Sequence, residues 1–399
     1  MTQTTINLSN SIRTQYIEEY QKGADTARVY DQLAKPIGKD MGRLEKGSSV
    51  QVEYLSDLQP REQSISETAD VTTQTMRDGT ASLTWQSRAD GVTFSEILAF
   101  QNFTDYEAAA LRKVGKNMMQ TVEILAKNAA LTGTHVERAA ARAALDAGTA
   151  GHRLTESVLI KLDAILQDLM VPTYVNPNGF EQWMAIMAPA AYHDLRQSGN
   201  VIEVAKYQSG NNVLKWELGS LGRFKLISTA WAKTFGAAGA DNATNVATTL
   251  STAANALDKT IVTAGDVSAN IAAGRIWTIG TEETGNTHYA TNEFVRVVSA
   301  STTTLTIVGA GENGGLLYDH PAGTPVRNAD NVYPVVFGGP ESMAKLYHTG
   351  TGEYGEVLDP EIIGAAKQWT RIVWKYYGNY GLLAQNGILR GEFASSLDA

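Results

Sequence analysis

Apolar and polar residues alternate with a period of two in two early stretches of the chain, a pattern typical of half-buried β-strands. The first is SSVQVEYLSDL, with Val50 and Val52 on one side, and the second is GTASLTWQ, with Leu83 and Trp85 on one side. Between them lies a long polar stretch, PREQSISETADVTTQTMRDG, that has little to bury. We predict an extended two-stranded hairpin that projects from the body and is returned by VTFSEILAF.

A helical period replaces the alternation after residue 103. Thr104 and Glu107 fit a capping box, and an apolar stripe follows for about seven turns. The residues of this stripe are Leu111, Val114, Met118, Val122, Leu125 and Ala129. LTESVLIKLDAILQDLMVP predicts a second amphipathic helix that ends before Pro172, and MAPAAYHDLRQSGN predicts another with Pro189 in its first turn. The Ala-rich residues 135–148 predict a continuation of the first helix or a separate one.

The composition changes at residue 236, where GAAGADNATNVATTLSTAANAL has one charge and almost no bulky apolar residue. This stretch is typical of a linker or a loosely held strand. Short strand-like runs with turn signals between them follow: KTIVTA, RIWTIG, EFVRVVSA, TTLTIVG and TPVRN. We predict an all-β domain inserted at residues 237–331, after which helix and mixed strands resume at VYPVVFGGPESMAKL. WELGSLGRFKLIST and the aromatic C-terminal region predict further strands.

Composition and charge narrow the classes of function. A chain of 399 residues is too long for one ordinary core. The net charge of −9 and a pI near 5.3 argue against a broad basic face for nucleic acid. The chain has no cysteine, which excludes disulfides, thiolate catalysis and cysteine-bound metals. Apolar runs fall short of the roughly 20 residues that a membrane-spanning helix needs. We therefore expect a soluble cytosolic product.

The run LTIVGAGENGG raises the question of a nucleotide site, because Gly309, Gly311 and Gly314 have the spacing G-x-G-x-x-G. A dinucleotide site needs a helix directly after the third glycine. Here Pro321 and Gly323 follow in LLYDHPAGTP and argue against a helix. We interpret the run as a glycine-rich hairpin turn between two strands.

No other candidate chemistry is well supported. Asp319 and His320 are adjacent, and adjacent strand residues point to opposite faces, so we interpret His320 as a structural loop histidine. The six histidines include no pair at i, i+4, and the chain has neither a Gly-x-Ser-x-Gly elbow nor a phosphate loop. We predict no catalytic, cofactor-binding or metal-binding residue. The aromatic stripe is interpreted as core and interface rather than a sugar or base platform: Trp369, Trp374, Tyr376, Tyr377 and Tyr380.

The order of these elements resembles that of the major capsid proteins of tailed phages, which have the Hong Kong 97 fold also used by encapsulins. VQVEYLSDLQP through GVTFSEI resembles the extended E-loop, and FTDYEAAALRKVGKNMMQTVEILAKNAALTG resembles the spine helix of the P-domain. Three stretches are similar to A-domain segments of the phage N4-type capsid subfamily: IMAPAAYHDLRQ, ELGSLGRFKLISTA and NVYPVVFGGPESMAKL. IVWKYYGNYGLL corresponds to a late Gly-Trp-Lys-like segment but lacks the glycine before Trp374. HPAGTPV, His320 to Val326, resembles β-rich modules inserted in phage structural proteins.

The resemblance implies an α+β fold with six segments. They are an N-terminal arm with a short helix (1–46), the E-loop hairpin and start of the P-domain (47–102), the spine helix and following helix (103–180), the first part of the A-domain (181–236), the all-β insertion (237–331), and the second part of the A-domain with the return to the P-domain (332–399).

The implied function is structural, without catalysis or a cofactor. The chain would assemble with itself, as hexamers and pentamers, into an icosahedral shell around double-stranded DNA. Scaffold, portal and decoration proteins would be further partners, the DNA contact would be nonspecific, and no membrane would be involved. The protein would belong to the virion, after assembly in the host bacterial cytoplasm. Two alternatives stay open: an encapsulin-type cargo shell, and a glycan-binding or hydrolytic virion protein that uses Trp277 or Tyr289.

Overall fold

The computed structural model describes residues 29–37, 48–56, 58, 60, 62, 73–101, 106–175, 179–197, 220–240, 247–267, 276–280, 293–340, 342–348, 350–364 and 366–398. The α-helices within these ranges are α1 (Glu96–Gln101), α2 (Tyr106–Ala130), α3 (Glu156–Asp168) and α4 (Pro189–Gln197). The strands are β1 (Ala34–Pro36), β2 (Ser49–Leu55), β3 (Asp78–Thr84), β4 (Ser87–Ser95), β5 (Val136–Arg138), β6 (Tyr174–Val175), β7 (Glu181–Met187), β8 (Ser220–Leu221), β9 (Phe224–Ser228), β10 (Ala247–Thr249), β11 (Thr260–Val262), β12 (Ile276–Ile279), β13 (Glu293–Ser301), β14 (Thr304–Val308), β15 (Pro325–Arg327), β16 (Tyr333–Gly338), β17 (Met343–Tyr347), β18 (Glu356–Val357), β19 (Glu361–Ile363), β20 (Trp369–Leu382) and β21 (Ile388–Phe393).

Some sequence predictions fall outside these ranges. They concern residues 1–28 of the arm, the capping residue Thr104, most of the polar stretch between the two hairpin strands, and Tyr289. Among the residues that are described, none of the helices is both long and apolar enough to cross a membrane.

Contacts divide the chain into two compact units. The described residues of Lys35–Met119 and Ala344–Leu383 belong to the first, and those of Thr26–Ala34, Gln120–Met343 and Ala384–Ala399 belong to the second. The division falls inside α2. The boundaries of the six segments implied by the sequence remain predictions.

The first unit is built on β20, a strand of fourteen residues. It pairs with β4 at nine positions, from Trp369↔Ser95 to Tyr377↔Ser87, and also with β17, β18 and β19. The indole N–H of Trp374 donates to Asn117 Oδ1 on α2 at 2.8 Å. This bond satisfies the polar atom of a buried aromatic side chain and ties the helix to the sheet.

The predicted pairing of the two hairpin strands is confirmed. Strands β2 and β3 pair antiparallel at seven positions, from Ser49↔Thr84 to Leu55↔Asp78. Its base is held by Val50 and Leu83, which are buried in a small apolar cluster with Ala344 and Leu346 of β17. The base of the hairpin is therefore anchored within this unit.

The second unit contains a seven-stranded sheet in the order β5-β21-β16-β7-β9-β8, with β6 beside β7. Helices α3 and α4 pack against it, and both match the prediction: α3 ends before Pro172, and α4 begins at Pro189. Leu159, Leu162 and Leu166 of α3 are buried in the core as their spacing indicated. The predicted strands around Gly222 also form, as β8 and β9.

The helix predicted for residues 135–148 is wrong. The segment instead forms β5, which runs parallel to β21, followed by a short 3-10 turn at Arg142–Ala144. The carboxylate of Glu392, on β21, is fully buried. It accepts hydrogen bonds from two guanidinium nitrogens of Arg142, at 2.6 and 3.0 Å. Arg138 and Arg390 also face it, at 3.5 and 3.1 Å. Tertiary ion pairing and strand pairing therefore override the helix propensity of the alanines.

The helix expected after residue 331 is also wrong. VYPVVFGGPESMAKL forms the two strands β16 and β17. β16 pairs with β21 on one side and β7 on the other, and all of its residues are buried. A strand covered on both faces has a continuous apolar run, which periodicity cannot distinguish from a buried helix.

The predicted strands of the insertion form, and they make a closed barrel. Their order is β10-β15-β12-β13-β14-β11. A bridge between Leu250 and Thr263 joins the residues that follow the two outer strands, β10 and β11. The barrel encloses its own apolar core, in which Trp277 is the largest side chain and is fully buried. That the barrel is a separate inserted domain remains a prediction.

Replacing Trp277 with alanine should destabilise the protein by about 3–5 kcal/mol, because it leaves a large cavity in a small core. Trp277→Phe should cost clearly less, since the ring keeps most of the packing and the indole N–H has no hydrogen-bond partner among the described residues. Urea unfolding of both variants, with hydrogen exchange to locate the loss in the barrel strands, checks this. Equal stability of Trp277→Ala and the parent chain would contradict the barrel core.

Candidate assembly surfaces

The G-x-G-x-x-G run forms a tight turn that folds back on itself. The Gly309 N–H donates to the Gly314 carbonyl, and the Gly311 N–H donates to the Gly315 carbonyl, both at 2.9 Å. A Cβ on Gly311 would lie 2.2 Å from the Leu316 carbonyl oxygen, so the close backbone approach requires glycine there. The predicted turn is present, but it does not join two paired strands. The next strand, β15, pairs with β10 and β12 rather than with β14.

His320 is buried and takes part in a hydrogen-bond network that holds the loop after the glycine run. Its Nε2 lies 2.7 Å from Oε1 of the buried Glu293. The Glu293 carboxylate also accepts the backbone N–H groups of Leu317 and Tyr318. Asp319 points elsewhere and accepts the Ala256 N–H. The sequence indicated that these two adjacent residues do not converge on one site, and the structure agrees. Each contributes to hydrogen bonds that hold backbone groups in place.

Metal ligands are not gathered anywhere in the described part of the chain: no group of three or more His, Asp or Glu side chains there could hold an ion. Trp277, one of two aromatic residues considered for glycan binding, is buried in the barrel core and cannot stack on a sugar. The alternative prediction that Trp277 binds a glycan is therefore wrong.

The aromatic stripe on β20 divides into two sets. Trp374, Tyr376 and Tyr380 are buried, whereas Trp369 and Tyr377 are largely exposed. The buried set fits the core interpretation. The exposed pair leaves aromatic surface available for contact with another molecule.

The hairpin carries exposed apolar side chains at the end away from its anchored base. Leu55 is 63% exposed, Leu58 is 53% exposed and Met76 is 51% exposed. We call these three residues the hairpin surface. Leu55 is paired with Asp78, next to Arg77, whose backbone pairs with Ser56. Leu55 is therefore held within the paired strands, and Leu58 and Met76 lie just beyond the last paired residues, Ser56 and Arg77.

A second apolar surface lies at one end of the β4–β20 ladder. Trp369 begins β20 and pairs with Ser95, the last residue of β4, which α1 directly follows. Ile363 of β19 pairs with Trp369 on its other side. We call the exposed side chains around this end the tip surface. Its members are Ile97, Leu98, Ile362 and Trp369, which are between 45% and 67% exposed.

Both surfaces lie within the first unit and contain large apolar side chains that are exposed among the described residues of that unit. Exposed apolar side chains that form a patch are typical of interaction sites. Charged residues border the tip surface, including Glu96, Glu361 and Arg371. An apolar centre with a charged rim is the usual composition of a protein–protein interface. Sequence reasoning identified the hairpin but missed Ile97, Leu98 and Ile362, whose exposure depends on where β20 ends.

Comparison with solved structures identifies the fold. The capsid structure of the cyanophage P-SCSP1u matches with a TM-score of 0.53 and 10% identity, over 92% of this chain and 88% of that one. The capsid of Ralstonia phage GP4 matches with a TM-score of 0.51 and 11% identity, over 88% and 84%. The cyanophage Pam1 capsid asymmetric unit matches with 0.50 and 12%, over 88% and 86%.

Sequence comparisons add no family: no protein-family model and no curated protein matches the chain. The structural likeness nevertheless extends over most of each chain. The protein therefore has the α+β Hong Kong 97 fold of phage capsid proteins, as the order of its elements indicated.

Proposed function

We propose that this chain is the major capsid protein of a tailed phage and assembles with itself into an icosahedral shell around double-stranded DNA. The observation that carries the proposal is the likeness to three phage capsid structures over most of this chain and most of theirs. A fold shared over a small module would leave the function open, since folds host many functions. Here the likeness extends over 84–88% of each of those capsid chains.

The exposed apolar surfaces support self-association. A shell needs heterologous contacts that repeat around symmetry axes, so each subunit must present surfaces that its neighbours cover. The hairpin surface is at the end of the β2–β3 ladder, and the tip surface is at the end of the β4–β20 ladder. Contacts distributed over such separate points let many small interfaces stabilise one shell.

The more detailed parts of the proposal rest on the resemblance of the sequence to major capsid proteins of tailed phages. Subunits would form hexamers and pentamers, the capsid would belong to the N4-type subfamily, and the barrel would lie on the outer face. Scaffold, portal and decoration proteins would bind the assembled subunits. The net charge of −9 is compatible with packaged DNA when the contact is nonspecific and mediated by counterions. The protein would act in the virion without catalysis, after assembly in the host cytoplasm.

Sedimentation of the purified chain, alone and with the scaffold protein of its phage, tests the proposal. We expect particles far larger than the 43.0 kDa subunit, and nuclease-protected DNA in particles taken from infected cells. A chain that sediments as a monomer under every assembly condition would contradict it.

A further inference from the structure

The short segment Val29–Leu33 is seated in the core of the second unit although polar sequence surrounds it. Tyr30 and Leu33 are 0% and 1% exposed. Leu33 Cδ2 lies close to Gly338 of β16, where a Cβ would come within 3.1 Å of it. The hydroxyl group of Tyr174 donates a hydrogen bond to the Gln32 carbonyl oxygen. The segment is the described part of the chain that directly follows residues 1–28.

A single buried carboxylate holds the start of this segment. Oε1 of Glu123, on α2, accepts the backbone N–H groups of Val29 at 3.0 Å and of Tyr30 at 2.8 Å. The Glu123 side chain is almost fully buried. Its second oxygen, Oε2, has no hydrogen-bond partner among the described residues. Burying a charged carboxylate oxygen without a hydrogen-bond partner costs free energy, so the protonated form of the group is favoured at such a position.

The groups around Glu123 do not form a simple ion pair with it. Lys127 is one turn further along α2 and is buried, and its Nζ donates to the Trp231 carbonyl at 3.0 Å. Burial lowers the pKa of Lys127 to about 8, against the opposing effect of Glu123. Burial, followed by the charges of Lys127 and Arg142, lowers the pKa of Lys233 to about 6. At neutral pH the site therefore holds one charged and one largely neutral lysine.

The segment itself adds two titratable groups. Asp31 places a second carboxylate near Glu123, and Tyr30 presents a phenol whose pKa is raised by burial and by Glu123, so that it stays neutral. Burial, the largest cause, raises the pKa of Glu123 to about 7, with Asp31 adding to the rise. The backbone N–H groups of Tyr30, Val29 and Asp31 oppose this rise in pKa.

We propose that Glu123 is a proton-dependent latch for the Val29–Leu33 segment, which is docked when the carboxyl group is protonated and released when it is ionised. The latch is a property of the subunit itself and holds whether or not the chain forms a shell. Residues 1–28 directly precede the segment in the sequence.

The direction follows from linkage. A carboxyl group whose pKa is raised in the docked state favours docking fully below the ordinary value of 4.5, and this contribution is lost as the pH rises through about 7. If release exposes Glu123 to water, the docking equilibrium can change by up to roughly 300-fold between the two limits. Glu123 alone therefore favours release under mildly alkaline conditions and docking under acidic conditions, whereas the lowered pKa values of Lys127 and Lys233 act in the opposite direction if release hydrates these lysines.

Thiol reactivity tests the latch in the full chain, because the chain has no cysteine of its own. A Leu33→Cys variant reports release, since the side chain at this position is buried when the segment is docked. Gln32→Cys, at an exposed position, reports the reactivity of an accessible thiol at the same pH. The ratio of the two labelling rates cancels the pH dependence of thiolate formation. We expect it to rise by one to two orders of magnitude between pH 5.5 and 9.

The matched control is Glu123→Gln, which keeps the oxygen acceptor but cannot ionise. In this background the ratio should stay low and flat across the same pH range. A flat ratio in the parent chain would overturn the proposal, and so would an equal rise in the Glu123→Gln background. Circular dichroism at each pH establishes that the subunit is folded, so that the ratio reports the segment rather than global unfolding.

Discussion

A chain carrying both Leu55→Lys and Met76→Lys is expected to fold normally but to fail in shell assembly. Both side chains are more than half exposed in the subunit, so the substitutions should change its stability by no more than about 0.5 kcal/mol each. Leu55 is paired with Asp78, which a lysine there would complement. In the proposed shell, however, a neighbour would cover the hairpin surface, and each buried lysine would have to be desolvated without a partner.

The expected effect is a rise of about 100-fold or more in the subunit concentration needed for assembly, as two losses of 1.4 kcal/mol each would give. Light scattering under conditions in which the parent chain forms particles measures it. Leu257→Lys with Val298→Lys is the matched control, because it adds the same charge at similarly exposed apolar positions of the barrel. Normal assembly of the hairpin variant would show that this surface is not an interface.

Glu392→Gln is expected to cost about 3–5 kcal/mol of unfolding free energy. Its fully buried carboxylate is faced by Arg138, Arg142 and Arg390, and the guanidinium of Arg390 also donates to the Leu131 carbonyl. Removing the negative charge leaves the buried Arg390 guanidinium next to the partly exposed Arg138 and Arg142 without compensation. β5 should detach from β21 first, because this cluster and the parallel pairing are what hold it.

Glu137→Gln provides the comparison for that loss. Glu137 is also on β5 and pairs with Lys161, but that lysine is mostly exposed. Surface pairs contribute about 0–1 kcal/mol, so this variant should unfold almost like the parent chain. Thermal and urea unfolding of the two variants, measured together, separate the buried cluster from the surface pair. Similar midpoints for both would contradict the role given to Glu392.

The elements that the sequence predicts well are those whose pattern is local. Alternation between Val50 and Val52, and between Leu83 and Trp85, indicates a two-stranded hairpin, and the stripe on α2 continues to the last turn of the helix. The helix predicted for residues 135–148 fails because its conformation is set by Glu392, which is remote in the chain. Alanine content carries no information about such a partner.

The buried charges were also beyond sequence reasoning. Glu123 and Lys127 are four residues apart on a helix, a spacing typical of a solvent-exposed ion pair. The structure buries both, because the Val29–Leu33 segment and the chain around Trp231 cover that face. The tip surface depends in the same way on which residues β19 and α1 bring to the end of β20. Sequence periodicity identifies an element but not the neighbour that covers it.

Electron cryomicroscopy of particles assembled from the purified chain tests the central claim most directly. We predict a closed icosahedral shell built from this chain, in which Leu55 and Met76 of each hairpin are buried against a neighbouring copy. The tip surface around Trp369 should likewise be covered at a contact between subunits. A chain that forms no shell under any assembly condition, or a shell in which both surfaces face solvent, would contradict the account.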